Sequence, residues 1–122
     1  MDFMTAIQAG FRNYVNFSGR ASRSEYWWWV LFVVIVGIVA SFIDISIVGN
    51  AQFGPVGGLT SLALLLPNIG ISVRRLHDRD KSGWFILIGL IPLVGAIILL
   101  VWFVQRGTVG GNQYGPDPLG GA

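Results

Sequence analysis

Sorted into apolar and polar positions, the chain alternates greasy blocks with short charged or turn-rich segments. Three blocks dominate: Tyr26–Ile43, Leu59–Val73 and Trp84–Val104. At helical rise they extend about 27, 22 and 31 Å, against a hydrocarbon core of about 30 Å. Extending the middle block back to Val56 makes it long enough to cross, although Gly57, Gly58, Pro67 and Gly70 weaken its helical case. Pro67 removes one backbone hydrogen bond, which predicts a kink near Ala63, and the first block stops at Asp44. Ahead of these, Phe3, Ile7, Phe11 and Tyr14 recur at helical spacing with Met4 and Val15, opposite Gln8, Arg12 and Asn16. That spacing predicts a short amphipathic helix within residues 1–17. It would lie on the membrane surface with Arg12 near lipid phosphates, or dock on the protein's own loops. Residues 107–122, rich in Gly with Asn112, Pro116, Asp117 and Pro118, predict a short extended or disordered tail. The pattern thus predicts an all-α membrane protein in one polytopic domain, 1–122. Its transmembrane helices are 26–43, 56–73 and 84–104, preceded by the amphipathic N-terminal helix.

Composition agrees with a bilayer. Charged residues are only 11% of the chain and apolar ones 53%, where soluble domains carry about 25% and 45–50%. In water such blocks would leave large exposed apolar patches. With 122 residues and no cysteine, the chain has no room for a hidden soluble enzymatic core, and disulfides, thiolate metal sites and cysteine nucleophiles are excluded. The first block begins only at Tyr26 and no small-residue cleavage site follows it, so it is expected to be retained rather than removed as a signal peptide.

The placement of charge predicts orientation. Arg12, Arg20 and Arg23 precede the first block; Arg74, Arg75, Arg79 and Lys81 follow the second; Asp44 to Pro55 contains no basic residue, and the tail contains only Arg106. If all three blocks cross, seven of the eight basic residues share one side, which the positive-inside rule makes cytoplasmic. The N-terminus is then inside and the tail periplasmic. Tyr26, Trp27, Trp28, Trp29, Trp84 and Trp102 stand at the block ends as interface anchors. Ser22 with Glu25 reads as a capping box, and Ser82 as the N-cap of the third block.

The string Arg74-Arg75-Leu76-His77-Asp78-Arg79-Asp80-Lys81-Ser82-Gly83-Trp84 concentrates the polar chemistry. On a continued helix Asp78 falls i+4 from Arg74 and i+3 from Arg75, so one carboxylate can bridge two guanidiniums. Two helix N-termini face the same side and favour anions. Arg20, Arg23, Arg74, Arg75, His77, Asp78 and Ser82 are therefore the candidate contacts for an anionic lipid headgroup or an acidic partner. The plain alternative is topology plus structural pairing, since cations at cytoplasmic boundaries need no ligand. His77 is the only histidine, so no multi-histidine metal site exists within one chain. Asp78 with Asp80 suits magnesium less well than neutralisation by neighbouring cations. Asn68 is best read as an interhelical hydrogen bonder, and Gly37-x-x-x-Ser41 as a face for close helix packing. No span interior carries an ionisable residue, and no phosphate loop, nucleophile elbow or zincin motif occurs.

Three strings carry a resemblance: Phe17-Ser18-Gly19-Arg20-Ala21-Ser22-Arg23-Ser24-Glu25-Tyr26-Trp27; Arg74-Arg75-Leu76-His77-Asp78 with Ser82-Gly83-Trp84; and Gly107, Gly111-Asn112 and Tyr114-Gly115-Pro116-Asp117-Pro118. From about residue 17 to residue 118 the chain resembles the domain of unknown function 805 family of small bacterial inner-membrane proteins. The resemblance implies a multi-pass protein of the bacterial plasma membrane and no particular activity. The expected function is non-enzymatic: engagement of membrane lipids, or of itself or another membrane protein, through the basic cluster, with no cofactor, metal or nucleic acid. The alternatives are a small oligomeric transporter or pore with Asn68 facing the path, and an enzyme acting on a phosphorylated lipid through His77, Asp78 and Asp80.

Overall fold

The structure is a computed structural model that describes residues 2–49 and 54–119. Its elements run α1 (Phe3–Arg12), α2 (Arg23–Val48), α3 (Pro55–Asp78), a 3-10 helix (Gly83–Leu90) and α4 (Val94–Val104). Two of them, α2 and α3, are long and apolar enough to cross a membrane. They pack side by side around Trp29, Ala21, Leu64 and Ile71. Of its 26 residues, α2 buries only Glu25, Trp29, Ala40 and Asp44, whereas Leu31, Ile35, Ile38, Phe42 and Ile45 are exposed. The core helix of a soluble protein would be buried on the face that α2 leaves bare; a lipid-facing helix is not.

The first two helices begin for local reasons. Asp2 caps α1 by accepting from Thr5 N at 2.8 Å, and Ser22 caps α2 by accepting from Glu25 N at 3.2 Å. α2 does not stop at Asp44 but runs on to Val48. The Asp44 carboxylate is fully buried because it accepts from Val56 N at 2.9 Å and Gly57 N at 2.8 Å, serving the start of α3. An acid that reads as a terminator is a fastener between two helices. Pro67 leaves α3 unbroken; the Ala63 carbonyl it orphans receives the Tyr14 hydroxyl.

α1 docks on helix rather than on loops. Ala6, Ala9 and Gly10 are its buried face, and the Trp29 ring lies so close over Gly10 that a Cβ there would stand 2.2 Å from it. Phe3 meets Trp28 edge-on, and Phe11 meets Trp29 and Phe32. Met4, Phe11 and Val15 keep large exposed surfaces.

The third apolar block is not one helix. Its 3-10 stretch ends before Pro92, Leu93 reverses the chain at φ 63° and ψ −60°, and Val94 N bonds back to Pro92 O at 2.7 Å. α4 then returns antiparallel to the 3-10 helix: Phe85 packs on Trp102 at 5.7 Å between centroids. Gly95 passes so close to the Ile88 carbonyl that a Cβ would stand 1.7 Å from it. α4 has 11 residues, about 16 Å, half the length a crossing requires. The expected third span, 84–104, is therefore replaced by a hairpin. A proline without an N–H and a glycine that admits backbone contact supply the physical means. Through Leu119 the tail is also ordered. Asn112 and Gly115 pair as a bridge, and Asp117 accepts from Gly110 N and Leu119 N, both at 2.9 Å.

Candidate functional site: a buried arginine cluster beneath the tail

The last turn of α3 carries Arg74, Arg75, His77 and Asp78, all buried. Asp78 is the hub. It pairs with Arg75 at 2.5 Å, one turn back on its own helix, and with Arg20 at 3.0 Å. The expected bridge from Asp78 to Arg74 is absent; Arg74 turns the other way and pairs with Glu25 at 2.7 Å. A helix fixes spacing along one face, but Arg20 and Glu25 arrive from a separate segment and redistribute the pairs. Glu25 thus supplies its backbone N–H to Ser22 while its carboxylate crosses to α3.

Backbone carbonyls take up further donors of Arg20 and Arg75. Arg75 donates to Phe103 O at 3.1 Å and also to Gln105 O. Trp27 Nε1 donates to Phe103 O at 3.1 Å, and Arg23 to Val104 O at 3.3 Å. These are the orphan carbonyls at the C-terminus of α4, where cations also complement the helix dipole. Arg20 reaches further along the tail, to Thr108 O at 2.5 Å and Gly110 O at 2.6 Å. Thr108 N donates in turn to Asp78 O at 2.6 Å. This contact exists because residue 107 is glycine: a Cβ there would sit 1.9 Å from the Asp78 carboxylate.

His77 is sealed in the same way. Its Nδ1 lies 2.8 Å from Gly19 O, and a carbonyl can only accept, so Nδ1 carries the proton. Its ring stacks on Tyr114 at 4.0 Å and 1°, and its own carbonyl accepts from Asn112 Nδ2 at 2.9 Å. Asp117 is held ionised below the usual carboxylate range, first by Leu119 N–H and then by Gly110 N–H, with Arg20 adding to both.

Of the residues singled out from sequence, the structure brings Arg20, Arg74, Arg75, His77 and Asp78 together, buried under residues 103–117. Arg23 is exposed at the edge of this cluster, donating to Val104 O. Ser82 accepts from Trp84 N at 3.3 Å and caps the 3-10 helix. Around this core lies an accessible set of cations. Arg12, Arg23 and Arg106 are exposed, and Lys81 places its Nζ 4.6 Å over the Trp102 ring. Arg74 Nε and Nη2, though buried, meet no acceptor among the described residues. Among those residues no group of three or more His, Cys, Asp or Glu side chains is placed to hold a metal ion.

The tail therefore lies at the end of the molecule that bears the Arg74–Lys81 segment, not across a membrane thickness from it. Sequence reasoning missed Glu25 as a cross-helix partner, Asp44 as a fastener, and the carbonyls of 103–115 as acceptors. Only Gly107, recurring in the third resemblance string, hinted at the last of these.

Comparison with known proteins agrees with the sequence resemblance. The sequence model of a family described as protein of unknown function (DUF805) matches residues 14–116. Inner membrane protein YhaI of Escherichia coli strain K12 is 43% identical over 111 residues, covering 91% of this chain and 92% of that one. Inner membrane protein YhaH of the same strain is 42% identical over 110 residues, covering 88% and 90%. The uncharacterized protein YiiR of that strain is 28% identical over 128 residues. No solved structure matches.

Proposed function

From its place in the DUF805 family, to which this chain belongs, we propose a two-span protein of the inner membrane whose charged end binds anionic lipid headgroups on the cytoplasmic side. In this reading α2 and α3 cross the bilayer, the hairpin of the 3-10 helix and α4 enters one leaflet and returns, and both termini are cytoplasmic. One observation carries it: the backbone from Phe103 to Gly110 is hydrogen-bonded to Arg20 and Arg75, which puts Arg106 at the end that already holds the Arg74–Lys81 segment. Every basic residue then falls on one side, a stronger positive-inside bias than three crossings give.

The division of labour between cations supports the lipid reading. Arg20 and Arg75 are occupied by Asp78 and by the tail, so they maintain the fold. Headgroup contact passes to the accessible Arg12, Arg23, Lys81 and Arg106, beside the exposed Trp28 and Trp84. α1 brings Arg12 to α2 near Trp29, about 10 Å along the helix from Ser22, a depth suited to an interfacial helix. Each such cation near an anionic leaflet contributes about 1 kcal/mol, so four give roughly a thousandfold preference over zwitterionic lipid.

The test replaces Arg12, Arg23, Lys81 and Arg106 by Gln together and measures lipids retained in mild detergent by native mass spectrometry. Loss of bound anionic lipid with unchanged membrane insertion is expected. Undiminished anionic lipid in this variant would refute headgroup binding, and a C-terminal reporter active only in the periplasm would refute the topology.

A further inference from the structure

Between α2 and α3, from the end fastened by Asp44 toward Asn68, runs an open cleft of about 790 Å3. It begins at Gly54, beside the first turn of α3, and ends at Asn68. Its walls are mixed: Val33, Ala40, Leu64 and Leu65 are apolar, and polar groups stand among them. Ser41 on α2 and Thr60, Ser61 and Asn68 on α3 line it, together with Gly37 and Gly58. Those two glycines face open space: a Cβ at either would meet nothing within 4 Å. No contact within the fold calls for a missing side chain there. What their absence does is widen the cleft and bare backbone along its walls.

Asn68 gives the cleft a chemical direction. The indole N–H of Trp29 is only a donor, and it lies 2.7 Å from Asn68 Oδ1. The amide oxygen is thereby engaged, and the NH2 group is what remains for the cavity. A second, separate cavity of about 200 Å3 lies by Trp29, Tyr26 and Ser72, and it too is lined by Asn68. An amide donor facing hydrocarbon, with hydroxyl groups beside it, is a costly arrangement unless oxygen atoms meet it. The cleft offers no counter-charge for an ion. The basic residues belong to the other end, and the carboxylate of Asp44 is buried and engaged by Val56 N and Gly57 N. At about 30 Å3 per molecule the space holds some two dozen waters, and its volume lies in the range of small-molecule sites.

We propose that this cleft is a hydrated site, open to the outer face of the membrane, that admits small uncharged hydroxyl-bearing solutes and holds them between Ser61 and Asn68. It rests on the reading that α2 and α3 cross the bilayer with the arginine cluster inside.

The chain contains no cysteine, so single cysteines report without background. Ser61→Cys lies in the cleft, its neighbour Leu62→Cys points outward to lipid, and Ile47→Cys marks the outer end of α2. Intact cells are treated with a membrane-impermeant maleimide, with and without molar glycerol. Because only a hydrated thiol ionises and reacts, Ser61→Cys should label at least about tenfold faster than Leu62→Cys. Glycerol should slow labelling at Ser61→Cys, and adding Asn68→Leu should remove that protection. Equal, slow labelling at 61 and 62 with Ile47→Cys labelled would overturn the proposal by giving the cleft to lipid. Labelling at 61 that glycerol leaves unchanged would overturn the solute site. Disulfide dimers from Gly37→Cys would assign the cleft to a second copy and overturn it as well. Failure of Ile47→Cys to label from outside would strike instead at the two-span orientation, and the proposal would fall with it.

Discussion

Gly107→Ala tests whether the tail is clamped to the arginine cluster. The added methyl would stand 1.9 Å from the Asp78 carboxylate and 2.7 Å from the Asp78 carbonyl. The carbonyl belongs to the last residue of α3, so helix rotamers cannot relieve the clash, and the tail backbone must move away. Movement at residue 107 first breaks the neighbouring contacts, Thr108 N to Asp78 O at 2.6 Å and Arg20 to Thr108 O at 2.5 Å. Hydrogen bonds involving a charged group contribute about 1.5–3 kcal/mol each and neutral ones about 1 kcal/mol. The closed tail should therefore lose about 3 kcal/mol, roughly a hundredfold in its opening equilibrium. Proteolysis that acts on the transiently open tail follows that equilibrium when reclosing is fast. The assay is cleavage of residues 105–119 by a soluble protease in membrane vesicles with the charged end exposed. Gly111→Ala is the matched control, since its nearest contact would be an ordinary 3.7 Å. Equal protection of the Gly107→Ala and Gly111→Ala tails would refute the clamp, and with it the argument that residue 106 shares a side with Arg74.

Asp44→Ala should lower the stability of the α2–α3 pair by about 1–2 kcal/mol, as expected for loss of an N-cap acceptor, read as a shift in the unfolding midpoint in mixed detergent micelles; an unchanged midpoint would mean that water serves the start of α3 equally well. Asp117 sets a pH window for the tail: its folded pKa lies below the ordinary carboxylate value of 3.8, through the N–H groups of Leu119 and Gly110. Its contribution is thus complete above that value and lost as pH falls below it. Tail protection from protease should lose Asp117's share only as pH falls below 3.8, and Asp117→Asn should remove that part of the pH dependence.

Membrane residence was legible in the chain because it depends on composition. Three apolar blocks with few charges need hydrocarbon whatever their arrangement, and the family resemblance lay in contiguous strings. The start of α2 was legible for a similar reason, since Ser22 lies next to its own helix; amphipathic spacing at Phe3–Phe11 marked a helix within residues 1–17 but not its bounds. The identity of the clustered residues could also be read, since Arg74, Arg75, His77 and Asp78 are neighbours on one helix and Arg20 belongs to a basic boundary.

What tertiary structure decided were the pairings and the path of the third block. Hydropathy is a sum over residues, and Trp84–Val104 gives the same sum as one span or as two short antiparallel segments. The difference lies in backbone contact, Gly95 against the Ile88 carbonyl and the reversal at Leu93. Which arginine meets which acid was hidden for the same reason. Helical spacing offered Asp78 to Arg74, but Glu25 approaches from α2 and claims it, leaving Asp78 to Arg20 and Arg75. Nothing in a one-dimensional pattern could assign main-chain carbonyls of the tail as partners for buried guanidiniums, because every residue has a carbonyl and only proximity selects among them.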